Sequence, residues 1–400
     1  MEQVIIVGGG QTGMNAAVSM RQSGFEGSIL IVGEEEALPY ERPPLSKEWL
    51  KSDVEPNVPL VCKRDMLEDL HITFQGSAAV TSISPEKHQI TLLSGEVLDY
   101  DALLLSTGGR VRPLPIEGAE YANCLRTLDD ARALRAKLHS RPHVTCIGAG
   151  VIGLETAATA RELGCEVTVI DPAAQPMSRC LTSEGTAFVE NIHRRAGVDL
   201  RLGVKPVAIR PDDSALQVTC DDGTSILTGC VIGGIGIVRN TELASAAGLE
   251  VRAGIVVDEY GRTSSPDIYA AGDVAEFYFP PAQKHLTRES WRHAQNHGIA
   301  VGAAMVGMAQ PYSDLQWFWT DQHGVRIEVG GSLDQIDRTY RRGTPKEGFI
   351  LFHFRRGNFV GYTAANARAE GRYAEKLLSK NTTPDPQILE DTRIPLKTLL

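Results

Sequence analysis

Short apolar runs and helix-like stretches alternate along this chain, and one such arrangement occurs twice. Residues 4–7 form an apolar run that ends on glycines, residues 14–22 have the pattern of a helix, and residues 28–33 form a second apolar run. The same order of run, helix and run returns at residues 144–147, 154–163 and 166–170. Because buried parallel strands are short apolar runs joined by crossover helices, this pattern predicts two α/β units.

The other segments add hairpins, further buried strands and a different terminal region. Alternating runs at residues 72–74, 79–83 and 89–93 predict hairpins, and the apolar run of residues 100–109 predicts a strand that ends on glycines. Further strands are expected at residues 204–209, 216–220, 230–236 and 267–273, and helices at residues 48–51, 129–139 and 289–306. From residue 317 the pattern changes to alternating strands (326–329, 349–354, 360–363) and a last helix (370–378), which predicts an α+β domain.

A glycine-rich turn joins the first strand to the helix in each of the two repeats. Each turn carries a G-x-G-x-x-G fingerprint. The first fingerprint is Gly8, Gly10 and Gly13, and the second is Gly148, Gly150 and Gly153. The first glycine makes the tight turn, the second lets backbone N–H groups approach a pyrophosphate, and the third lets the helix pack on the strand. The helix start then offers free N–H groups and the positive end of its dipole to the phosphates.

An acidic residue follows the second strand of each repeat, where it can accept hydrogen bonds from an adenosine ribose. Glu34, with Glu35 beside it, lies 21 residues after Gly13, and Asp171 lies 18 residues after Gly153. No arginine follows Asp171 within several positions, which favours the free 2′-hydroxyl of NADH over the 2′-phosphate of NADPH. The chain is therefore predicted to bind two dinucleotides.

These patterns predict an α/β fold with two Rossmann-like nucleotide-binding domains and a C-terminal α+β domain. Residues 1–110 and 240–315 would form the first nucleotide domain, and residues 111–239 would form the second as an insertion into it. Residues 316–400 would form the terminal domain. The repeated unit is the basis for this division, because each copy has its own fingerprint, acid and hairpins.

Composition and charge exclude several classes of function. The net charge of −10 argues against bulk nucleic-acid binding. No apolar run reaches the ~18 residues of a membrane span, and no signal-peptide pattern precedes the first strand, so we expect a cytoplasmic protein. The ten histidines and seven cysteines lack metal-site spacing, and we expect no metal. His285, His293, His297 and His323 are expected at the surface.

The absence of cysteine from residues 35–50 bears on the reaction type. A disulfide reductase of the two-dinucleotide kind needs a redox cysteine pair just after the first βαβ unit. An NADH peroxidase or oxidase needs one cysteine there as a sulfenate. Electrons therefore have no thiol route out of this protein.

Four further motifs occur in a fixed order with the two fingerprints. They are the P-P-L-S-K loop ending at Lys47, the S-T-G of residues 106–108, the A-G-D ending at Asp273, and the W-F-W-T-D-Q of residues 317–322. The whole set resembles the FAD-dependent NADH:ferredoxin reductases of the glutathione-reductase-like superfamily. The similarity covers essentially the whole chain and is greatest to the reductase components of bacterial aromatic-ring dioxygenase systems of the phenylpropionate and biphenyl type, with putidaredoxin reductase a near relative.

The resemblance implies roles for individual residues. The first fingerprint and Glu34 would hold the ADP part of FAD, and further FAD contacts would come from Arg42, Lys47, Val80, Arg126, Asp273 and Trp291. The second fingerprint and Asp171 would hold NADH. Further cofactor-binding residues would be Glu35, Thr107, Gly108, Ile152, Gly236 and Gly272. Lys47 and Glu155 would be the catalytic residues, and we expect them to form an ion pair beside the flavin, where an ammonium stabilises an anionic reduced ring.

Two positions depart from the family's pattern. Arg239 replaces a proline in the turn after Gly236, which leaves the turn geometry open, and Ser106 replaces an alanine at a strand end.

The expected function is transfer of electrons from NADH through FAD to a [2Fe-2S] ferredoxin, of Rieske type, that feeds an aromatic-ring dioxygenase. A rubredoxin reductase, or a non-catalytic flavoprotein of the apoptosis-inducing-factor type, is the alternative. The arginine pairs 341–342 and 355–356 are either solvated surface or a docking patch for an acidic partner.

Overall fold

The computed structural model describes residues 1–400. Its helices are α1 Gln11–Gln22, α2 Glu48–Lys51, α3 Arg64–Asp69, α4 Leu128–Leu138, α5 Val151–Glu162, α6 Ser183–Arg195, α7 Glu242–Ala246, α8 Trp291–Met305, α9 Arg368–Ser379 and α10 Pro386–Glu390. Short 3₁₀ turns occur at Pro43–Ser46, Pro85–Lys87, Ala119–Tyr121, Gly272–Val274, Pro280–Ala282 and Leu396–Leu399.

The strands are short and numerous. They are β1 Gln3–Val7, β2 Ser28–Val32, β3 Ile72–Gln75, β4 Val80–Ser84, β5 Gln89–Leu92, β6 Val97–Asp99, β7 Ala102–Leu105, β8 Gly109–Val111, β9 His143–Ile147, β10 Glu166–Asp171, β11 Asp199–Leu202, β12 Pro206–Asp212, β13 Ala215–Cys220, β14 Ser225–Thr228, β15 Cys230–Gly233, β16 Ile237–Arg239, β17 Ile255–Val257, β18 Ile268–Ala270, β19 Ala275–Phe279, β20 Lys284–Leu286, β21 Trp317–Gln322, β22 Val325–Gly331, β23 Arg338–Thr344, β24 Gly348–Arg355 and β25 Asn358–Ala365.

The first of two compact units contains a parallel five-stranded sheet in the order β18-β7-β1-β2-β3. The unit comprises Met1–Glu41, Asn57–Arg110 and Ile237–Asp314. Apolar side chains of β1 alternate between two separate buried clusters, so both faces of the sheet are covered. Such two-sided burial explains why its strands are continuous apolar runs in the sequence.

Helices α1 and α8 of this unit pack at very short range. A Cβ on Gly298 would lie 2.4 Å from the carbonyl oxygen of Thr12, and a Cβ on Gly302 would lie 2.4 Å from that of Ala16. Only glycine allows such an approach between the two backbones. The start of α8 is thereby fixed in relation to the first fingerprint.

The second compact unit comprises Arg42–Pro56, Val111–Gly236 and Leu315–Leu400. It contains a parallel sheet in the order β11-β10-β9-β15 and, from its last segment, an antiparallel sheet in the order β21-β22-β25-β24-β23. Helix α9 packs on β25 of the antiparallel sheet. The parallel sheets and the terminal α+β region confirm the predicted fold class.

The predicted helices are present, with ends that differ by a few residues. The pattern missed the short helices α3, α7 and α10, and it also missed the longer α6, whose buried face carries Gly185, Thr186, Val189 and His193. These small and polar residues give almost no apolar signal at helical spacing. The division into three domains is finer than the two compact units and stays a prediction. No helix in the chain combines the length and the apolar character that crossing a membrane requires.

Candidate active site

The first fingerprint forms a turn that only glycine can make and leaves an open surface beside it. Gly8 has φ of +118°, and a Cβ there would lie 2.3 Å from the carbonyl oxygen of Ser106. A Cβ on Gly13 would lie 2.3 Å from the Gly8 oxygen, whereas one on Gly10 would meet nothing within 4 Å. No side chain caps α1 at Gly10. The open space and uncapped N–H groups fit a pyrophosphate.

The Gly272–Asp273 segment lies at the same end of α1. Gly272 has φ of +77°, and a Cβ there would lie 2.2 Å from the hydroxyl of Thr12 in the first turn of the helix. The N–H of Gly272 donates to Nδ1 of His297 at 3.1 Å. The guanidinium of Arg239 donates to the Asp273 carbonyl at 2.8 Å. Three sequence-predicted cofactor contacts, the fingerprint, Gly272 and Asp273, therefore converge.

Arg239, the residue found in place of proline, also holds a carboxylate. Its Nη2 lies 2.6 Å from Oε1 of Glu289, just before α8. The preceding Gly236 has φ of +100°, so the turn keeps a glycine conformation without the proline. Arg239 therefore anchors the loop of Asp273 rather than simply shaping a turn.

The remaining residues expected to contact a cofactor in the first unit lie at strand ends and loops. Glu34 is exposed, and Glu35 accepts a hydrogen bond from the Tyr40 hydroxyl at 2.6 Å. Val80 is half-buried at the start of β4. Thr107 exchanges hydrogen bonds with Asn240 at 2.8 and 2.9 Å, and Gly108 has φ of +59°. Glu34 is thus open to a ribose, as its predicted role requires.

Trp291 is the first residue of α8 and is half-buried. Its indole N–H donates to Glu41, and burial raises the pKa of that carboxyl. Ser290 caps the helix by accepting from the N–H of His293 at 3.2 Å. The cap and the glutamate together fix the orientation of the indole ring.

Arg42 and Arg126 meet in the second unit. The guanidinium of Arg42 donates to the carbonyl of Arg126. Asp130, in the capping box of α4, accepts from the N–H of Arg126 at 3.0 Å. Two predicted FAD contacts that are 84 residues apart in sequence are therefore adjacent in space.

The second fingerprint repeats the geometry of the first. Gly148 has φ of +111°, and a Cβ on Gly153 would lie 1.9 Å from the Gly148 oxygen. Gly150 caps α5 without a side-chain hydrogen bond, and a Cβ on it would meet only one atom, at 3.8 Å. Ile152, in the first turn, is 40% exposed. An open, uncapped helix start again fits a pyrophosphate.

Asp171 is the last residue of β10, and its carboxylate accepts hydrogen bonds from two backbone N–H groups. One carboxylate oxygen accepts from the N–H of Ala149 at 2.6 Å, and the other accepts from the N–H of Ala173 at 2.7 Å. The carboxylate therefore lies beside the fingerprint turn, because Ala149 stands between Gly148 and Gly150. A negative charge fixed there suits ribose hydroxyls and repels a 2′-phosphate.

Lys47 and Glu155 form the expected ion pair. Nζ of Lys47 lies 2.7 Å from Oε2 of Glu155, with side chains that are 16% and 2% exposed. Lys47 also donates to the carbonyl of Pro43 at 3.0 Å. Ser46, the neighbouring residue, donates to the same Glu155 oxygen at 2.5 Å. Glu155 lies on α5, two residues after Gly153, so this pair connects the P-P-L-S-K loop to the second nucleotide site.

Sequence reasoning missed two threonines that support this pair. Thr159, one turn after Glu155 on α5, donates to the Ser46 carbonyl at 2.8 Å. Thr320, on β21, donates to Oε1 of Glu155 at 2.7 Å. The four-residue spacing of Glu155 and Thr159 is a signal that could have identified the first. The W-T-D-Q motif contains the second but does not reveal its partner.

Some surface expectations are wrong. His293 and His297 are buried with Tyr312 and Phe277, since their rings stack within an aromatic cluster. Arg342 is also buried, because its guanidinium donates to four carbonyls of the terminal segment, those of Leu389, Asp391, Thr392 and Ile394. Arg341 and Arg356 are exposed and Arg355 is half-buried, and a docking role for these three stays a prediction.

Comparisons with known proteins find similarity along almost the whole chain. A family model described as pyridine nucleotide-disulphide oxidoreductase matches residues 2–298, and one described as reductase C-terminal matches residues 317–400. Putidaredoxin reductase of Pseudomonas putida is 34% identical, with 100% of this chain and 97% of that protein covered. The anthranilate 1,2-dioxygenase system ferredoxin–NAD(+) reductase component of Burkholderia cepacia is 36% identical, with 99% and 98% covered.

A solved structure has the same overall fold. The ferredoxin reductase for the CYP199A2 system from Rhodopseudomonas palustris superposes with a TM-score of 0.96 at 34% identity, covering 100% of this chain and 99% of that one. The match spans both compact units.

Proposed function

The chain belongs to the pyridine nucleotide-disulphide oxidoreductase family, and we propose that it carries electrons from NADH through FAD to a [2Fe-2S] ferredoxin. The ferredoxin, which we take to be of Rieske type, would feed an aromatic-ring-hydroxylating dioxygenase. As a member of its family the protein is an oxidoreductase that uses FAD and NADH.

One observation carries the proposal, namely the Lys47–Glu155 ion pair on the helix of the second fingerprint. The start of α5 fits the NADH pyrophosphate, and Glu155 on that helix holds a lysine of the P-P-L-S-K loop. Because the resemblance assigns Lys47 to the flavin, the pair supports a place where nicotinamide and flavin meet.

Each group of residues would have a separate task in the reaction. Bound FAD supplies the ability to take a hydride from NADH and to release electrons one at a time. Gly8, Gly10 and Gly13, with Gly272 and Asp273, would hold its phosphate and ribitol part. Arg42, Arg126 and Trp291 would add further contacts with FAD. Asp171 would select NADH, and Glu155 would keep Lys47 in place.

The cysteine content supports an external electron acceptor. Residues 35–50 have no cysteine, and all seven cysteines of the chain are free. Burial raises the pKa of all seven thiols, which makes them poor nucleophiles. Free thiols are also typical of a reducing compartment, which supports the proposed cytoplasmic location.

The relatives point to the nature of the acceptor. The Burkholderia cepacia relative is named as a ferredoxin reductase of a dioxygenase system, and the similar solved structure is named as a ferredoxin reductase. Both names describe the transfer of electrons to a small iron–sulfur protein. A rubredoxin or thiol acceptor has no comparable support.

An acceptor comparison tests the proposal. Purified FAD-loaded protein is mixed anaerobically with NADH and, in parallel, with a Rieske-type ferredoxin, a rubredoxin or oxidised glutathione. We expect rapid reduction of the ferredoxin only. Brisk reduction of rubredoxin with an inert ferredoxin would replace the proposal by the rubredoxin alternative. If the flavin is reduced by NADH but none of the three acceptors becomes reduced, the result supports the alternative of a non-catalytic flavoprotein.

A further inference from the structure

Glu155 uses both of its carboxylate oxygens, and they face different parts of the chain. Oε2 accepts from Lys47 at 2.7 Å and from Ser46 at 2.5 Å. Oε1 accepts from the Thr320 hydroxyl at 2.7 Å and from the N–H of Asp321 at 3.3 Å. Because the two oxygens belong to one rigid carboxylate group, the hydrogen bonds to Oε1 determine whether Oε2 faces Lys47.

The hydroxyl of Thr320 belongs to a longer chain of hydrogen bonds. Its oxygen lies 2.9 Å from the amide nitrogen of Gln322, which donates to it. The amide oxygen of Gln322 lies 2.8 Å from Nε2 of His193, and Nδ1 of His193 lies 3.1 Å from Nε2 of His323. Of these groups, Thr320, Gln322 and His193 are at most 1% exposed.

The direction in which each of these hydrogen bonds is donated follows from the protonation state of His193. Burial lowers the pKa of His193 to about 4, so the ring is neutral near pH 7 and carries one N–H. Because the amide oxygen of Gln322 can only accept, that N–H is on Nε2 of His193, and Nδ1 accepts from His323. The amide of Gln322 then donates to the oxygen of Thr320. Because the carboxylate of Glu155 can only accept, the Thr320 hydroxyl directs its proton to Oε1 of Glu155.

We propose that Thr320 is a positioning residue for hydride transfer, which orients the Glu155 carboxylate so that Oε2 faces Lys47. This inference rests on the proposed function, because it assigns the pair to the step between NADH and FAD. It also gives the terminal segment, residues 317–400, a part in the chemistry of the second nucleotide site. Thr320 acts through Glu155 and touches neither cofactor in this assignment.

A set of isosteric variants tests the assignment. Thr320→Val removes the hydroxyl with little change of shape, and Thr320→Ser keeps it. Thr363→Val is the matched control, because Thr363 is equally buried in the same antiparallel sheet and has its own partner, His353, at 3.0 Å. Gln322→Glu is a second test variant. A carboxylate at this position would accept the hydrogen bond of the Thr320 hydroxyl, which would then no longer donate to Glu155.

The first readout is the rate at which excess NADH reduces the bound flavin, measured anaerobically by stopped flow at several NADH concentrations. We expect Thr320→Val and Gln322→Glu each to lower the limiting rate about tenfold, the effect of losing one hydrogen bond to a charged group, with the apparent Kd for NADH changed less than about twofold. Thr320→Ser and Thr363→Val should stay within about twofold of the original protein.

The second readout does not depend on turnover. A crystal structure of Thr320→Val should show the Glu155 carboxylate rotated and Nζ of Lys47 more than 4 Å from it. The proposal is overturned if the limiting rates of Thr320→Val or Gln322→Glu equal that of the original protein, or if Thr320→Ser is as slow as Thr320→Val. Should Thr320→Val not fold, Gln322→Glu decides. A failure of the proposed function would differ, because the unaltered protein would not reduce ferredoxin.

Discussion

Nζ of Lys47 and Oε2 of Glu155 are 2.7 Å apart, although 108 residues separate them along the chain. The glutamate is almost completely buried, whereas the lysine keeps a small exposed face. A pair of this kind costs desolvation and is compensated only by good geometry and further hydrogen bonds. Ser46, Thr320 and the backbone of Asp321 supply those bonds. The arrangement fixes a cation at one place rather than adding general stability.

Replacing the buried glutamate tests how strongly the pair is coupled. Glu155→Gln keeps the shape but leaves the Lys47 ammonium without its anion. We expect a loss of about 3 kcal/mol in the free energy of unfolding, since the lysine is 16% exposed. Flavin reduction by NADH should slow by at least tenfold. The control is Glu162→Gln on the same helix, whose ion pair with Lys51 at 2.8 Å is partly exposed. That change should cost less than about 1 kcal/mol in urea unfolding. Equal costs for the two variants would contradict the coupling.

The choice of NADH over NADPH should depend on Asp171. We expect at least a tenfold preference for NADH in kcat/KM, and Asp171→Asn should narrow it because the isosteric amide removes the charge that repels a 2′-phosphate. Glu166→Gln, at the exposed start of the same strand, is the control and should leave the preference unchanged. Steady-state kinetics with both cofactors give the answer. Similar kcat/KM values for NADH and NADPH in the unaltered protein would refute the assignment.

Buried histidines should make the protein sensitive to mild acid. Burial lowers the pKa of His193 and His353 to about 4 and that of His297 to about 3. Unfolded histidines have a pKa near 6.5, so the unfolded chain binds more protons below that pH and stability falls as the pH drops from about 6.5 through 4. Each histidine contributes a slope of up to roughly 1.4 kcal/mol per pH unit in that range.

Denaturant unfolding at several pH values measures this slope. His353→Gln should lower this slope by up to roughly 1.4 kcal/mol per pH unit, the contribution of one buried histidine. A free energy of unfolding that stays constant between pH 6.5 and 4.5 would show that these histidines are not buried in the neutral form.

Arg342 should anchor the end of the chain. Arg342→Met removes the donors for four carbonyls and should cost about 2 kcal/mol while increasing amide exchange in residues 389–394. Arg341→Met is the control, because this half-exposed neighbour pairs only with Glu184, at 3.1 Å, across the surface. Its cost should stay under about 1 kcal/mol. Unchanged exchange in Arg342→Met would mean that other contacts hold the segment.

The local part of this structure was predictable from sequence. Gly8, Gly13, Gly148 and Gly153 are required because neighbouring backbone atoms leave no room for a side chain, and that constraint appears directly as a spacing of glycines. The strands β1 and β9 were also predictable, because both faces of their sheets are buried and each strand is therefore a continuous apolar run. Signals of this kind depend on a few consecutive residues.

The tertiary part was not predictable in the same way. Thr320 meets Glu155 across 165 residues, and no spacing rule connects a hydroxyl on one strand to a carboxylate on a distant helix. Arg342 looks like a surface charge in the sequence, but its partners are backbone carbonyls, which every residue carries. The ion pair of Lys47 and Glu155 was predicted only because the family resemblance brought the two positions together.

The stoichiometry of ferredoxin reduction tests the central claim, the passage of electrons from NADH through FAD to an iron–sulfur partner, most directly. FAD-loaded protein in catalytic amount is mixed anaerobically with limiting NADH and an excess of oxidised Rieske-type ferredoxin, and the reduced clusters are counted from their absorbance. NADH gives two electrons and a [2Fe-2S] cluster accepts one, so about two reduced ferredoxins per NADH are expected. NADH oxidation with no ferredoxin reduced would contradict the account.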